Sequence, residues 1–316
     1  MDTNNNLYPI AFSIPENKIV NEIPNKTKII AMINPHGVGN NSYIFQSEID
    51  YYNDYKCSLF AITRKKGGWD CMRHYEILAC GCIPVFENLQ QCPKNTMFNF
   101  PKNIIINTNN FYKYLLNKYG SNKIQSNNIS IIEKKDMETY YNFVFILLKY
   151  TRENLTTTKM AEYILKNTCE TAKKILYISN PVDGDYLRCL TLHGFKKIFK
   201  KNCNDYPFLG HIYNSCSENS WIDKTILHGK GFTYTNLIDK DEYHDFEEEN
   251  NTIENIKNKK YDLIIYSSLH KDKPLFDIVN ENYDTNKIVF LCGEDIHYCI
   301  CKEYCDKGYK VFVREM

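Results

Sequence analysis

Short apolar runs separated by polar loops and amphipathic stretches set the layout of this chain. Lys28–Asn34 (KIIAMIN), Cys57–Thr63 (CSLFAIT), Cys82–Phe86 (CIPVF) and Asn103–Asn107 (NIIIN) read as buried strands in the first half. Lys174–Ser179 (KILYIS), Tyr261–Ser268 (YDLIIYSS), Lys287–Gly293 (KIVFLCG) and Lys310–Val313 (KVFV) read as strands in the second. Helical periodicity falls between them: Ile44–Tyr55, the stretch after Asp70, Asn110–Lys118, two patterns across 136–173 broken near Glu153-Asn154, and Tyr186–Phe199. Alternating strand and helix predicts parallel sheets covered by helices. Residues 1–25, with two prolines and a polar head, read as an extended connector, and 202–258 as a polar, irregular excursion with acidic residues crowded at 239–249. The expected fold class is α/β in two units, 1–170 with bridging helices at its end and 171–316.

One run, Gly67–Phe86 (GGWDCMRHYEILACGCIPVF), concentrates candidate chemistry. Gly67 and Gly68 form a flexible loop, Asp70 is placed to cap the helix that follows, and Gly81 is placed to end it. Arg73 and Glu76, three residues apart, project from one side of that helix. A helix start plus an arginine suits a diphosphate, and a carboxylate beside it suits ribose hydroxyls. Arg64, Lys65 and Lys66 sit just past a strand end, where open α/β sheets bind ligands. Lys94 follows the CIPVF strand by a short loop and is a further candidate cation for a phosphate. Gly37 and Gly39 make a partial dinucleotide fingerprint with no third glycine.

Composition narrows the options. The chain has 316 residues, 43% hydrophobic and 24% charged, with a net charge of +1. That is globular, with no electrostatic case for nucleic acid or an anionic membrane. The N-terminal MDTNNNLYPI is polar and no run reaches the length of a membrane span, so the expected setting is a reducing cytoplasm with free thiols. Of the 13 cysteines, Cys292, Cys299, Cys301 and Cys305 cluster around His297. Their spacing lacks paired C-x2-C knuckles, so they read as thiols rather than zinc ligands. No G-x-S-x-G, Walker loop or H-E-x-x-H occurs.

Arg73, Glu76, Gly81, Cys82, Ile83, Pro84 and Val85 resemble, residue by residue, the donor-binding half of GT-B glycosyltransferases of the exostosin-like group. The resemblance implies a nucleotide sugar (UDP-, GDP- or dTDP-linked) as donor, no other cofactor, and a hydroxyl acceptor that is a glycan, a lipid or protein-linked. It also implies two Rossmann-like domains facing a cleft. Leu192–Phe195 (LHGF), His228–Phe232 (HGKGF), Gly293-Glu294-Asp295 and Val313-Arg314-Glu315 resemble the N-terminal half of bacterial members. There the closing run precedes a segment like Tyr8–Pro15, which here opens the chain, so the two halves look circularly permuted. The donor set is then Arg64, Lys65, Gly67, Gly68, Arg73, Glu76, Pro84 and Lys94.

Inverting transfer needs a base to deprotonate the acceptor, expected from the second unit. Asp183 and Asp185, after that unit's first strand, come first and Asp295 next, ahead of His193, Glu294 and His297. Asp183-Gly184-Asp185 and Asp239-Lys240-Asp241 also match the metal motif of GT-A transferases, but the two-unit layout opposes that fold, and metal-independent transfer is expected. The alternatives are a GT-A-type metal-dependent transferase, a non-catalytic glycan- or nucleotide-binding protein on the same scaffold, or a dehydrogenase or epimerase, which the missing full G-x-G-x-x-G opposes.

Overall fold

The computed structural model describes residues 6–33, 35–36, 44–180, 185–214, 227–295 and 300–316. The chain divides into two compact units. The smaller is Glu16–Lys94 with Asn99–Thr156; the larger is the chain up to Pro15, Asn95–Phe98, and Thr157 onward. The chain therefore leaves the larger unit and returns to it, rather than breaking once at residue 170.

The opening segment is not only a connector. Leu7–Pro9 form β1, which enters the larger unit's sheet parallel to the last strand, with Leu7 opposite Val311. The residues that follow, Ile10 to Ile14, are buried.

The smaller unit carries β2 (Lys28–Ile30), α1 (Glu48–Cys57), β3 (Ser58–Thr63), α2 (Met72–Ala79) and β4 (Ile83–Phe86). Its sheet runs β2-β3-β4, all parallel. The expected strand at 103–107 is instead the start of α3 (Lys102–Tyr119). Its buried residues are Ile105, Thr108, Asn109, Tyr112 and Leu115, a helical repeat that overrides the β-propensity of three consecutive isoleucines. α4 (Ser121–Gln125) and α5 (Lys134–Asn154) complete the unit.

Both edges of this sheet are closed by asparagine side chains. Asn109 accepts from Phe86 N at 3.1 Å and donates to Phe86 O at 2.8 Å, standing in for a strand beside β4. Asn127 accepts from Ile29 N and Ile30 N at 2.8 and 2.6 Å and donates to Ile30 O at 2.9 Å on the β2 side. These strand-edge groups are thereby satisfied. Pro84, which has no N–H to give, is tolerated because β4 is an edge strand.

In the larger unit α6 (Thr157–Thr168), β5 (Ile175–Ile178), α7 (Tyr186–Phe199) and β6 (Cys203–Tyr206) come next. Three short helices, α8 (Lys240–Tyr243), α9 (Phe246–Asn250) and α10 (Thr252–Lys257), occupy the C-terminal part of the expected irregular excursion. β7 (Leu263–Tyr266), α11 (Phe276–Asn282), β8 (Ile288–Cys292), α12 (Ile300–Asp306) and β9 (Lys310–Val313) close the chain. The sheet is β1-β9-β8-β7-β5-β6, and every neighbouring pair is parallel. β5, β7 and β8 are buried along their whole lengths, as central parallel strands covered on both faces must be.

β6 escapes a hydrophobic reading because its sequence is CNDY. Its Asp205 is fully buried, and Lys196 Nζ (2.6 Å), Tyr213 Oη (2.9 Å) and His244 Nδ1 (3.2 Å) all reach it. Gly194 lets α7 approach α6: a Cβ there would lie 2.1 Å from Thr157 O. The LHGF run thus has a packing role.

No helix among the described residues is long and apolar enough to cross a membrane.

Candidate functional site

The loop from Arg64 to Cys71 joins the C-terminal end of β3 to α2. His74 locks the helix start onto the strand end. It is fully buried, its Nδ1 3.0 Å from Thr63 Oγ1 and its Nε2 3.0 Å from Trp69 O. Burial pushes its pKa down to about 3, with Trp69 O opposing and Arg73 assisting, so the ring is neutral, donating from Nε2 and accepting at Nδ1.

Asp70 does not cap the helix. Cys71 holds the cap position without a side-chain capping bond, and buried Asp70 accepts from Tyr75 Oη at 2.8 Å. Gly81 does end α2: its φ is +61°, Gly81 N donates to Leu78 O at 3.0 Å and Cys82 N to Ile77 O at 3.2 Å.

Three cations gather at this strand edge. Arg64 Nη1 lies 2.8 Å from His36 Nδ1, and His36 Nε2 lies 2.8 Å from Glu87 Oε1, a chain from the end of β3 to the end of β4. Lys66 Nζ donates to Pro35 O at 2.6 Å. Its pKa is lowered by partial burial and then by the positive charges of Arg73 and Arg64. Arg73 is largely buried, and its Nη1 has no hydrogen-bond partner among the described residues. Burial works against its charge, while Tyr55, Tyr51, Cys71 and Glu76 hold its pKa above the ordinary arginine value. A buried, unfilled guanidinium donor is costly unless something supplies an acceptor.

The other expected donor residues lie as follows. Glu76 is 3% exposed and accepts from Tyr51 Oη, so α1 already holds it. Lys65 stacks over the Trp69 ring at 5.4 Å. Gly67 is exposed and Gly68 buried, its carbonyl accepting from Lys66 N at 3.0 Å. Pro84 is buried within β4 opposite Ala61, a sheet position. Lys94 is exposed, its carbonyl 3.2 Å from Lys102 Nζ. Sequence reasoning missed His36, Glu87 and a cavity of about 380 Å³ beside the end of β4, lined by Glu87, Asn88, Gln90, Asn109, Tyr112 and Lys113 among others.

No protein-family model, curated protein or solved structure matches the chain.

In the larger unit Asp183 and His297 lie outside the described residues. Asp185 caps α7, accepting from Leu187 N at 3.0 Å. Burial raises its pKa, with Arg188, the Leu187 N–H and Arg314 pulling it down and Glu294 pushing it further up. Asp295 pairs with Arg314, whose guanidinium also donates to Gly293 O (2.9 Å) and Glu315 Oε1 (3.1 Å) and stacks on Phe12 at 4.8 Å. His193 Nδ1 lies 2.8 Å from Thr157 Oγ1, between α6 and α7.

Arg188, which sequence reasoning passed over, is 2% exposed. It donates to Asn180 O through Nη1, and its Nε and Nη2 have no partner among the described residues, nor do the buried hydroxyls of Ser179 and Ser267. Ser179 and Ser267 directly follow β5 and β7, so these polar groups mark the C-terminal edge of the larger sheet.

Proposed function

We propose that the chain is a nucleotide-sugar-dependent glycosyltransferase whose donor diphosphate binds Arg64, Lys66 and Arg73 where β3 passes into α2. The observation that carries this reading is the buried Arg73 Nη1, without a partner among the described residues, beside two further cations at the end of a parallel strand. The likeness of residues 73–85 to the exostosin-like donor run supports it from the sequence side. The cavity beside β4 takes the nucleoside, with Tyr112 as aromatic lining and Glu87 and Asn88 as polar partners for ribose. In this reading the bond between the sugar and the diphosphate breaks as the acceptor oxygen attacks. The cations stabilise the departing nucleoside diphosphate without added Mg²⁺ or Mn²⁺. The acceptor hydroxyl's proton leaves to a general base, the role for which the sequence named Asp183, Asp185 and Asp295.

A second reading, donor binding without turnover, is favoured by the fact that Asp185 and Asp295 both already hold structural partners.

Thermal shift and calorimetry with UDP, GDP, dTDP and pyrophosphate, without divalent cations, test the first step. At a hundred times Kd a ligand adds about 2.7 kcal/mol, enough for a shift of a few degrees. Binding of none of these would overturn both readings; binding with no sugar transfer or hydrolysis from the matching nucleotide sugar would select the second.

A further inference from the structure

His270, on the loop after β7, Cys292, the last residue of β8, and Cys301, in the first turn of α12, bring their ligand atoms together. His270 Nε2 and Cys292 Sγ are 3.1 Å apart, and all three atoms lie within 4.8 Å of one another. We propose that these residues form a metal site selective for zinc. Tetrahedral Zn²⁺ with sulfur at ~2.3 Å and imidazole nitrogen at ~2.0 Å separates its ligands by roughly 3.5–3.8 Å, so the three atoms need only small shifts to close on one ion. A thiolate–imidazole set disfavours Mg²⁺ and Ca²⁺ and suits zinc.

The alternative use of two close thiols, a disulfide, accounts for Cys292 and Cys301 but not for the imidazole directed at the Cys292 sulfur. Cys189 Sγ and His211 Nε2, 3.3 Å apart, show the contrast: no third donor joins them among the described residues. Loading releases the two thiol protons, forms two Zn–S bonds and one Zn–N bond, and leaves a fourth position that no described residue fills. The site lies wholly within the larger unit, whereas the proposed donor residues belong to the smaller one.

The test uses the full chain, stripped of metal under reducing conditions and titrated with Co²⁺. One equivalent should give the visible bands of tetrahedral cobalt and a near-ultraviolet thiolate charge-transfer band, both displaced by Zn²⁺. His270→Ala, Cys292→Ser and Cys301→Ser should each weaken binding at least ~10-fold, since each removes one of the few ligands. Because a buried substitution can unfold the chain, alkylation of the native wild-type protein gives an independent readout. Both thiols are buried and react only on opening, so the readout is a rate: zinc should slow alkylation of Cys292 and Cys301 and leave that of partly exposed Cys57 unchanged. Absence of the cobalt bands, bands that survive in all three variants, zinc that protects neither thiol, or a Cys292–Cys301 disulfide in the reduced protein would each overturn the proposal.

Discussion

Replacing Arg73 by methionine separates a ligand-binding arginine from a structural one, because the two roles move stability and affinity in different directions. Nη1 is buried without a partner among the described residues, a condition that costs about 1–3 kcal/mol where it holds in the free protein. Methionine fills much of the same length without that cost. What it loses is the attraction between Arg73 and its surroundings, in which Glu76 is the weakest of the contributors raising the Arg73 pKa. These contributions oppose each other, so the expected change in unfolding free energy is within about 1 kcal/mol. In the nucleotide complex the same substitution deletes a charge-assisted hydrogen bond worth about 1.5–3 kcal/mol, a 10- to 150-fold rise in Kd. Denaturant unfolding of the free chain and calorimetry with the best-binding nucleoside diphosphate measure the two quantities separately. Arg73→Lys should fall between, since it keeps the charge and loses the planar fork. A loss of more than about 2 kcal/mol of stability in Arg73→Met with unchanged nucleotide affinity would refute the reasoning and make Arg73 part of the α1–α2 packing.

Asp205→Asn should cost about 3–5 kcal/mol, because it strands Lys196, 1% exposed, without its carboxylate partner; urea unfolding measures this. Burial pushes the Asp205 pKa up, but Lys196 and His244 outweigh it and bring it from 3.8 down to about 2. Its contribution, about 2 kcal/mol, should be present above pH 3.8 and fall away as pH drops through about 2, seen as a falling acid-side melting temperature that Asp205→Asn flattens. His244 has the opposite sign: burial lowers its pKa, but Asp205 and Glu249 raise it above 6.5, so its contribution is full below pH 6.5 and fades as pH rises through the folded value. His244→Gln should flatten that alkaline-side decline. Gly194→Ala should destabilise by about 1–3 kcal/mol despite alanine's better helix propensity, since the new methyl meets Thr157 backbone 2.1 Å away; a stabilised variant would refute the close α6–α7 contact.

Elements that carry their own signals were legible. α7 was expected at Tyr186–Phe199 and is found there, started by an aspartate that caps it. β4 and β9 follow apolar runs bounded by turn residues. Elements whose reason for existing lies elsewhere in the chain were not. β1 is three residues including a proline, and it is a strand because β9 offers it an edge. β6 reads as polar because its Asp205 answers a lysine on α7 and a histidine 39 residues on, and no local pattern encodes that pairing. The run at 103–107 misled in the other direction: three isoleucines favour a strand, but the burial repeat over the next ten residues decides for helix. That the opening segment sits beside the closing strand was legible only through the family likeness, in which a segment like Tyr8–Pro15 follows Val313-Arg314-Glu315; nothing in composition shows it, and strand pairing makes it.

The candidate site divides along the same line. Arg64, Lys66 and Arg73 lie within ten residues around one strand-to-helix turn, so sequence position alone brings their charges near each other, as the effect of Arg64 and Arg73 on Lys66 shows. Their neighbours come from further away: His36 reaches Arg64 across 28 positions, and Glu87 reaches His36 across 51. The same distance hid the environment of Glu76. Its place on the helix face beside Arg73 follows from a spacing of three, but its bond to Tyr51 depends on how α1 packs, and that bond changes what the carboxylate is free to do. A buried carboxylate already holding a tyrosine hydroxyl must give up that bond or share it before it can accept from ribose, whereas the Glu87 carboxylate lines a cavity and meets the exposed His36. If a nucleoside binds in this unit, the ribose contact therefore belongs to Glu87 before Glu76. Glu87→Gln should then weaken nucleoside diphosphate binding while sparing pyrophosphate, and Glu76→Gln should act mainly through stability. The reverse pattern in calorimetry would return the ribose contact to the helix face and empty the cavity of its proposed role.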